Sequence, residues 1–413
     1  MHRHRKKKLA LKYKIRIIVC LLIFILLLAF LFTFIYTQLT KSKLSTDDGQ
    51  KISKLYTENN SNTNLQQDIT INLAAIGDIM CHNTQYNDAY NKSSKTYDFT
   101  HFFTNVKSEL SSADITIGNL ETTFAGADRG YSSYPTFNTP EALGNSLKDI
   151  GIDVLSTANN HSLDKGYAGI VNTLKTLDNL EISHMGTYNS PDSQNQILVK
   201  DVNGIKIAFL AFTYGTNGIP IPSGKEYCIN LIDKALIVSQ IQKAKEQNVD
   251  VISVSMHWGL EYKLTPNDEQ KELADFLFKN GVDIILGSHP HVLEPMEKKT
   301  VTLDDGTEKD CFVIYSLGNF ISGQNKENTK STIILNLQLT KHTNGQISID
   351  SAQYTPLYFH KNSAKDSKKY SLIDIEKSLS DYESGINKSI GGSLYNTLKA
   401  ELQKIKKHVG NEF

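Results

Sequence analysis

Six short apolar runs limit what this chain can fold into. They are "ITINLAAIG" from Ile69, "ADITIG" from Ala113, "IDVLSTA" from Ile152, "DVISVSM" from Asp250, "VDIILG" from Val282 and "CFVIYSLG" from Cys311. Each is rich in β-branched residues and hardly alternates with polar ones. Strands buried on both faces read this way, and strands in a parallel sheet are buried on both faces. Helical patterns fall between the runs, at Phe99–Ser112, Pro140–Ile150, Ala168–Leu180, Lys234–Gln247 and Asp268–Lys279. Gly281 follows the last of these, where a left-handed helix cap is common. Strand and helix alternate, so the fold class is α/β, with helices packed on a sheet. Asn203-Gly204 and Asn344-Gly345 each interrupt a β-rich stretch. Asn-Gly favours the tight type I′ turn of an antiparallel hairpin, so the sheet system is mixed.

The ends of the chain read differently. Residues 1–16 are basic, and Ile17 to Tyr36 is a run of 20 residues without a charge. At about 1.5 Å per residue such a run spans the hydrocarbon core of a bilayer. It is too long for the apolar core of a cleaved signal peptide and lacks a small-residue cleavage site. The expectation is one transmembrane signal anchor over 17–36. The basic cluster before it places the N-terminus in the cytoplasm and the main domain outside, in a single-pass protein of the cell membrane. Residues 37–68 are polar and without periodicity, and read as a flexible stalk. The main domain is expected over 69–360, followed by a helical C-terminal appendage over 361–413. Residues 1–36 hold eight Lys or Arg and no acid, which leaves 36 basic against 44 acidic residues on the rest, a net −8. That balance argues against nucleic acid as a partner. Of the four cysteines, Cys20 lies in the apolar span, and Cys81, Cys228 and Cys311 show no paired spacing. Neither a disulfide framework nor a zinc-finger pattern follows.

The chemistry sits where the runs stop. Asp78 and His82 follow the first run, and Asn119 and Glu121 the second. Asn159-Asn160-His161 and Asp164 follow the third, and His257-Trp258 and Glu261 the fourth. His289-Pro290-His291 follows the fifth, and Asn319 the sixth. Taken singly, each has an ordinary explanation. An Asp at a strand end is commonly a turn residue, Trp258 is more often packing than a stacking platform, and Cys81 is a small filler with no histidine base to activate it. Taken together they carry more weight, because the loops after parallel strands emerge on one sheet edge, where ligands bind. Carboxylates, carboxamides and imidazoles converging there suit one or two divalent ions such as Mn, Fe or Zn.

The set "GDIM", "GNLET", "NNHSLDKG", "HWGLEY", "GSHPHVLEP" and "SLGNF" resembles the CapA-type capsule synthesis family, also called poly-γ-glutamate synthesis proteins, over roughly residues 69–360. The resemblance implies a fold similar to calcineurin-like metallophosphoesterases, a four-layer αββα sandwich with a dinuclear metal site at the strand ends. It assigns metal-ligand positions to Asp78, Asn119, Glu121, Asn160, His257, His289 and His291. His161 takes the position of a general acid or charge stabiliser, with Asp164 as its helper. His82, Glu261 and Asn319 fall in supporting or substrate-contacting positions. Two places depart from the pattern. Met80 stands where a ligand histidine is usual, and Asn119 where a bridging Asp is usual. Losing that negative charge weakens the hold on a second ion, and Glu121 is the nearest carboxylate able to compensate.

Two functions follow from the resemblance. In one, a membrane-anchored hydrolase acts on a phosphoester of a cell-envelope polymer. In the other, the site binds an anionic surface polymer through a metal, without catalysis, as part of a polymer-synthase membrane complex. Fold alone does not choose between them.

Overall fold

The apolar runs become the central strands of two sheets that face each other. The computed structural model describes residues 67–303, 306–362, 368–386 and 390–413. The basic segment, the apolar span and nearly all of the stalk lie outside the described residues. Among the described residues, no helix is long and apolar enough to cross a membrane.

The chain opens with β1 (Ile69–Ile79), α1 (Asn83–Ala89), a small hairpin of β2 (Tyr90–Asn91) and β3 (Thr96–Tyr97), and two short helices, α2 (Thr100–Phe103) and α3 (Lys107–Leu110). It continues through β4 (Ile115–Leu120), α4 (Ala142–Asp149), β5 (Val154–Ser156), α5 (Gly166–Asn179) and β6 (Ser183–Met185). Next come α6 (Pro191–Asn195), β7 (Leu198–Val202), β8 (Ile205–Thr213), α7 (Lys234–Glu246), β9 (Val251–His257), α8 (Asp268–Lys279) and β10 (Ile284–Ser288). The remainder is β11 (Met296–Thr302), β12 (Glu308–Ile314), β13 (Asn319–Ile321), β14 (Ser331–Lys341), β15 (Ile347–Lys361), β16 (Tyr370–Asp374), α9 (Ile375–Glu383) and α10 (Gly392–Val409).

The larger sheet has the order β16-β15-β14-β1-β4-β5-β6, with β13 also pairing with β1, and the smaller has the order β11-β12-β10-β9-β8-β7. β1, β4, β5 and β6 are parallel, as are β8, β9, β10 and β12. Antiparallel strands flank both groups. Side-chain alternation along each central strand explains why the runs are apolar throughout. Ile71, Leu73 and Ala75 of β1 pack with Ile207, Phe209, Ile284 and Phe312 of the smaller sheet. Ala74 and Ile76 point the other way, toward Phe102, Leu143, Leu147 and Leu177 on the helices. In the smaller sheet Ala208, Leu210 and Val254 face Ile237 and Ile241 of α7 and Leu273 and Leu277 of α8. Three apolar interfaces therefore separate four layers, helix, sheet, sheet and helix.

Local signals account for most element ends. α8 spans the residues its periodicity marks, capped at its start by Asn267 and Gln270. At its end Gly281 takes φ +103°, and the Val282 N–H closes on the Leu277 carbonyl. Asn203 and Gly204, at φ +53° and +98°, form the tight turn expected of them, with Val202 paired to Ile205. The other Asn-Gly does not. Lys341 pairs with Ile347, so Asn344 and Gly345 sit in a five-residue loop. Asp68 holds that loop by accepting from the Thr343 N–H and from His342 Nδ1. The single helix expected over Phe99–Ser112 is two short ones, α2 and α3. Asn105 lies between them and donates its side-chain N–H to the Leu372 carbonyl of β16, which breaks the run.

Residues 361–413, read from sequence as a helical appendage, form α9 and α10 but also add the edge strand β16 to the larger sheet. Leu398, Ile405 and Val409 of α10 are buried in the core between the sheets. Leu398→Ala is expected to destabilise the full chain by about 2–4 kcal/mol, the cost of a cavity at a fully buried leucine. Chemical unfolding measures this, and a loss below about 0.5 kcal/mol would mean that α10 is not part of the core.

Candidate metal centre

The strand-end residues meet at one edge of the sandwich. In the larger sheet Asp78 stands beside Asn119 of β4 and Asn319 of β13. In the smaller sheet His257 stands beside Ser288. Two glycines permit this approach. A Cβ on Gly77 would lie 1.9 Å from the Gly318 carbonyl oxygen, and one on Gly287 would lie 1.8 Å from the Tyr315 carbonyl oxygen. Neither position has room for a side chain. Each glycine lies just ahead of chemistry, Gly77 before Asp78 and Gly287 before Ser288 and His289.

Asp78 links the two sheets. Its Oδ1 accepts from Asn119 Nδ2 at 2.8 Å. Its Oδ2 accepts from His291 Nδ1 at 3.1 Å and from the His289 backbone N–H at 3.4 Å. His289 and His291 have φ of +97° and +61°. Left-handed backbone at two histidines costs on the order of 1–3 kcal/mol each and persists only where the surroundings enforce it. Donation from His291 Nδ1 leaves Nε2 of the neutral ring as a lone pair. That Nε2 faces Glu121 Oε1 at 3.9 Å, and His257 Nε2 lies 3.7 Å from the same oxygen.

Glu121 Oε1 and His289 Nδ1 are both buried and have no hydrogen-bond partner. Buried polar atoms are normally paired, so unpaired lone pairs converging on one point call for a cation. Glu121, His257 and His289 bring ligand atoms within 4.8 Å of one another, and so do Asp78, Glu121 and His291. Glu121 belongs to both groups. A third group of the same spacing joins the exposed Glu261 to His289 and His291. Carboxylate and imidazole donors in this arrangement fit a divalent transition ion, and the departure at Asn119 explains why Glu121 stands at the centre. Asn119 has turned its amide N–H toward Asp78, and that group cannot ligate a cation through nitrogen.

Burial dominates the electrostatics. The Glu121 carboxyl is pushed well above the usual carboxylate range by burial and then by the Asp78 charge beside it. His257 is pushed well below the usual imidazole range by burial and by the neighbouring histidines. His289 is lowered to about 4, chiefly by burial. Without a cation, the site therefore favours a proton on Glu121 and neutral imidazoles. A divalent ion reverses the first preference.

The remaining expected residues fall around this cluster. His161 Nδ1 donates to Asp164 Oδ2 at 2.8 Å, and the same oxygen accepts from the Phe137 N–H. Asn160 Oδ1 lies 2.9 Å from His257 Nε2, so the metal-free ring carries its proton there; with the Ser288 hydroxyl able to accept from Nδ1, the proton can move to Nδ1 and free Nε2 for an ion. His82 stays outside. Its Nδ1 accepts from the Gly323 N–H at 3.0 Å, which puts the neutral ring's proton on Nε2 and leaves no lone pair for a metal. Met80 is buried with its sulfur near the Ser322 hydroxyl, so no second ligand comes from that position. Asn319 Nδ2 donates to Gln324 Oε1 and to the Thr329 carbonyl, which holds the loop after β13.

Asn159, Ser288 and Tyr214 also contribute, in roles that the sequence does not assign to them. Asn159 Nδ2 donates to the Leu120 carbonyl, its Oδ1 accepts from the His161 N–H, and it thereby joins the second and third loops. The Ser288 hydroxyl bonds His257 Nδ1 at 2.9 Å, and a hydroxyl can donate or accept as the ring requires. The Tyr214 ring lies 4.6 Å from that of His289 and 6.2 Å from that of His257. Tyr214 follows β8, a parallel strand whose sequence reads chiefly as one arm of a hairpin. The signal was the same as elsewhere, an apolar run ending in a residue able to reach the edge.

Residues 72–324 match the family described as bacterial capsule synthesis protein PGA_cap. The PGA biosynthesis protein CapA of Bacillus subtilis (strain 168) is 35% identical over 229 residues, 55% of this chain and 56% of that protein. The match therefore spans just over half of that relative's length. The capsule biosynthesis protein CapA of Bacillus anthracis is 28% identical over 302 residues, 71% of this chain and 69% of that protein. Among solved structures, a putative 5′-nucleotidase from Staphylococcus aureus aligns with a TM-score of 0.45 at 15% identity, covering 76% of this chain and 59% of that one.

The metal-free site generates a pH prediction. A histidine whose folded pKa is depressed contributes stability above its unfolded pKa and loses it as pH falls. His289 and His82, both at about 4, and His257 act in this direction from about pH 6.5 downward. Glu121, with a raised pKa, acts oppositely, and so does Glu294, raised to about 7 by burial. The histidine contribution is therefore read as a difference: in EDTA, the midpoint of thermal unfolding of the unaltered chain relative to His289→Gln is expected to fall between pH 6.5 and 4, and a constant difference would contradict the burial argument. Asn119→Asp is expected to tighten divalent metal at least about tenfold, as one more charge at the centre should. It should also destabilise the metal-free chain, both effects being readable by calorimetry.

Proposed function

The chain belongs to the bacterial capsule synthesis protein PGA_cap family, and on that premise we propose that it serves in making, exporting or anchoring a capsule polymer of the poly-γ-glutamate kind, through a metal-dependent, hydrolase-like site. The observation that carries the metal is the pair of buried, unpartnered atoms, Glu121 Oε1 and His289 Nδ1, set among His257, His291 and Asp78. The four layers and the motif order support a metallophosphoesterase-like fold for the domain. The uncharged run 17–36 supports anchoring in the cell membrane, with the domain outside.

Glu121, His257 and His289 would hold one ion, and Asp78, Glu121 and His291 a second or the same one. When bound, such an ion supplies a water that is nucleophilic at neutral pH and neutralises charge on a phosphoryl oxygen. The protein's own part is orientation and proton handling. Asp164 fixes His161 by taking its Nδ1 proton in a hydrogen bond, so Nε2 is the nitrogen free to act. A protonated Nε2 gives its proton to a leaving oxygen or pairs with developing negative charge. Asp78 holds the two left-handed histidines in place. A site that only binds metal has no need of the His161–Asp164 pair, and this favours catalysis over binding.

One observation favours a second reading. The neutral Asn119 leaves fewer charges than two ions ordinarily require, which suits a single ion that binds polymer carboxylates without cutting.

His161→Ala separates the two readings. Hydrolysis of bis-p-nitrophenyl phosphate by the Mn²⁺-loaded full chain is expected to fall at least about 100-fold, with bound metal unchanged. Asp164→Asn is expected to give a smaller loss and a shifted pH profile. Bound metal with no turnover by the unaltered chain would sink catalysis and leave polymer binding.

A further inference from the structure

A cavity of about 520 Å³ lies beside the cluster, with Tyr214, Trp258, Leu260, Glu261, Leu273 and His289 in its wall. That volume is in the range of small-molecule sites. His289 belongs to cavity and cluster alike, so the two spaces adjoin. The Trp258 indole N–H is spent on the Tyr315 carbonyl at 3.0 Å, so Trp258 offers the cavity ring surface and no polar atom. Tyr214 and Leu260 are 48% and 54% exposed. Single exposed hydrophobic residues are ordinary, but two in the wall of one cavity next to a buried polar cluster mark a binding surface. The charged groups in the wall are the carboxylates of Glu261 and Glu269, and neither Lys nor Arg lines it.

These walls select a chemistry. Carboxylates only accept hydrogen bonds, so the ligand must donate them. Apolar and aromatic faces ask for C–H surface. A poly-γ-glutamyl chain has amide N–H donors, but it carries a carboxylate on every residue, and no Lys or Arg in this wall pairs with those charges. A saturated sugar ring has both features, C–H faces to lie against Tyr214 and Leu260 and hydroxyls to donate to Glu261 and Glu269. We propose that this cavity is a sugar-binding subsite, and that the group presented to the cluster is carried on a glycan and not on a bare γ-glutamyl chain. The second half of this statement rests on the hydrolase-like reading of the cluster, whereas the sugar subsite stands apart from it.

Trp258 is the one tryptophan in the chain, so its fluorescence reports on this wall. The full chain in detergent is titrated with chitotriose, a neutral oligosaccharide, and separately with poly-γ-glutamate. Chitotriose is expected to give a saturable change, weakened at least about fivefold by Tyr214→Ala and by Leu260→Lys. Both residues are about half exposed, so their replacement leaves the core intact. The change is expected to persist in Asp78→Asn, whose phosphoester turnover is lost. No saturable change with chitotriose, a change that both wall variants leave intact, or a response to poly-γ-glutamate in its place would each overturn the subsite. Absent turnover with sugar binding retained would remove the hydrolase-like reading and leave the subsite in force.

Discussion

The carboxylate of Asp78 is the interaction on which the site depends. It belongs to the larger sheet, yet its Oδ2 accepts from His291 and from the His289 backbone of the smaller one. Those two residues hold left-handed backbone that would relax without an external partner. Gly77 and Gly287, one in each sheet, let the Gly318 and Tyr315 carbonyls approach more closely than any side chain would allow. The site draws residues from both sheets and exists only where the two are packed together. The interface formed by Ile71, Leu73, Phe209 and Ile284 supplies the apolar stability, and Asp78 sets the register in which His291 faces Glu121.

Placing Glu121 at the centre changes how the family pattern reads in this chain. The usual bridging position holds Asn119, whose amide N–H points at Asp78. Glu121 lies two residues further along, still buried, and its free oxygen sits among His257, His289 and His291. A longer side chain from a later position thus supplies the lone pair that a shorter one would have supplied from position 119. Because burial and the Asp78 charge raise the Glu121 pKa, metal binding and deprotonation are coupled, and affinity should rise with pH.

Much of this was legible in the sequence, and the exceptions have physical causes. The strands, α8, the Asn203-Gly204 turn and the convergence of Asp78, Glu121, His257, His289 and His291 on one edge follow from period, capping and parallel topology. The second Asn-Gly misled because Asp68, far away in sequence, holds the loop by hydrogen bonds that no local pattern encodes. The break between α2 and α3 likewise depends on β16, which Asn105 reaches across the fold. His82, read from sequence as a supporting residue, is the histidine nearest in sequence to the ligand position that Met80 occupies. The Gly323 N–H takes the lone pair it would need, and that contact is a matter of tertiary structure. Tyr214 is masked in the sequence because its strand pairs antiparallel with β7 on one side and parallel with β9 on the other, and the hairpin is the louder signal.

The central claim is that Glu121 is the shared carboxylate of a divalent metal centre. Metal content of the full chain after equilibration with Mn²⁺ or Zn²⁺, compared with Glu121→Gln, tests it most directly. The account predicts at least one tightly held ion per chain in the unaltered protein. It predicts loss of that ion in Glu121→Gln, with the metal-free variant as stable as its parent at neutral pH. Equal metal content in the two proteins, or none in either, would contradict it.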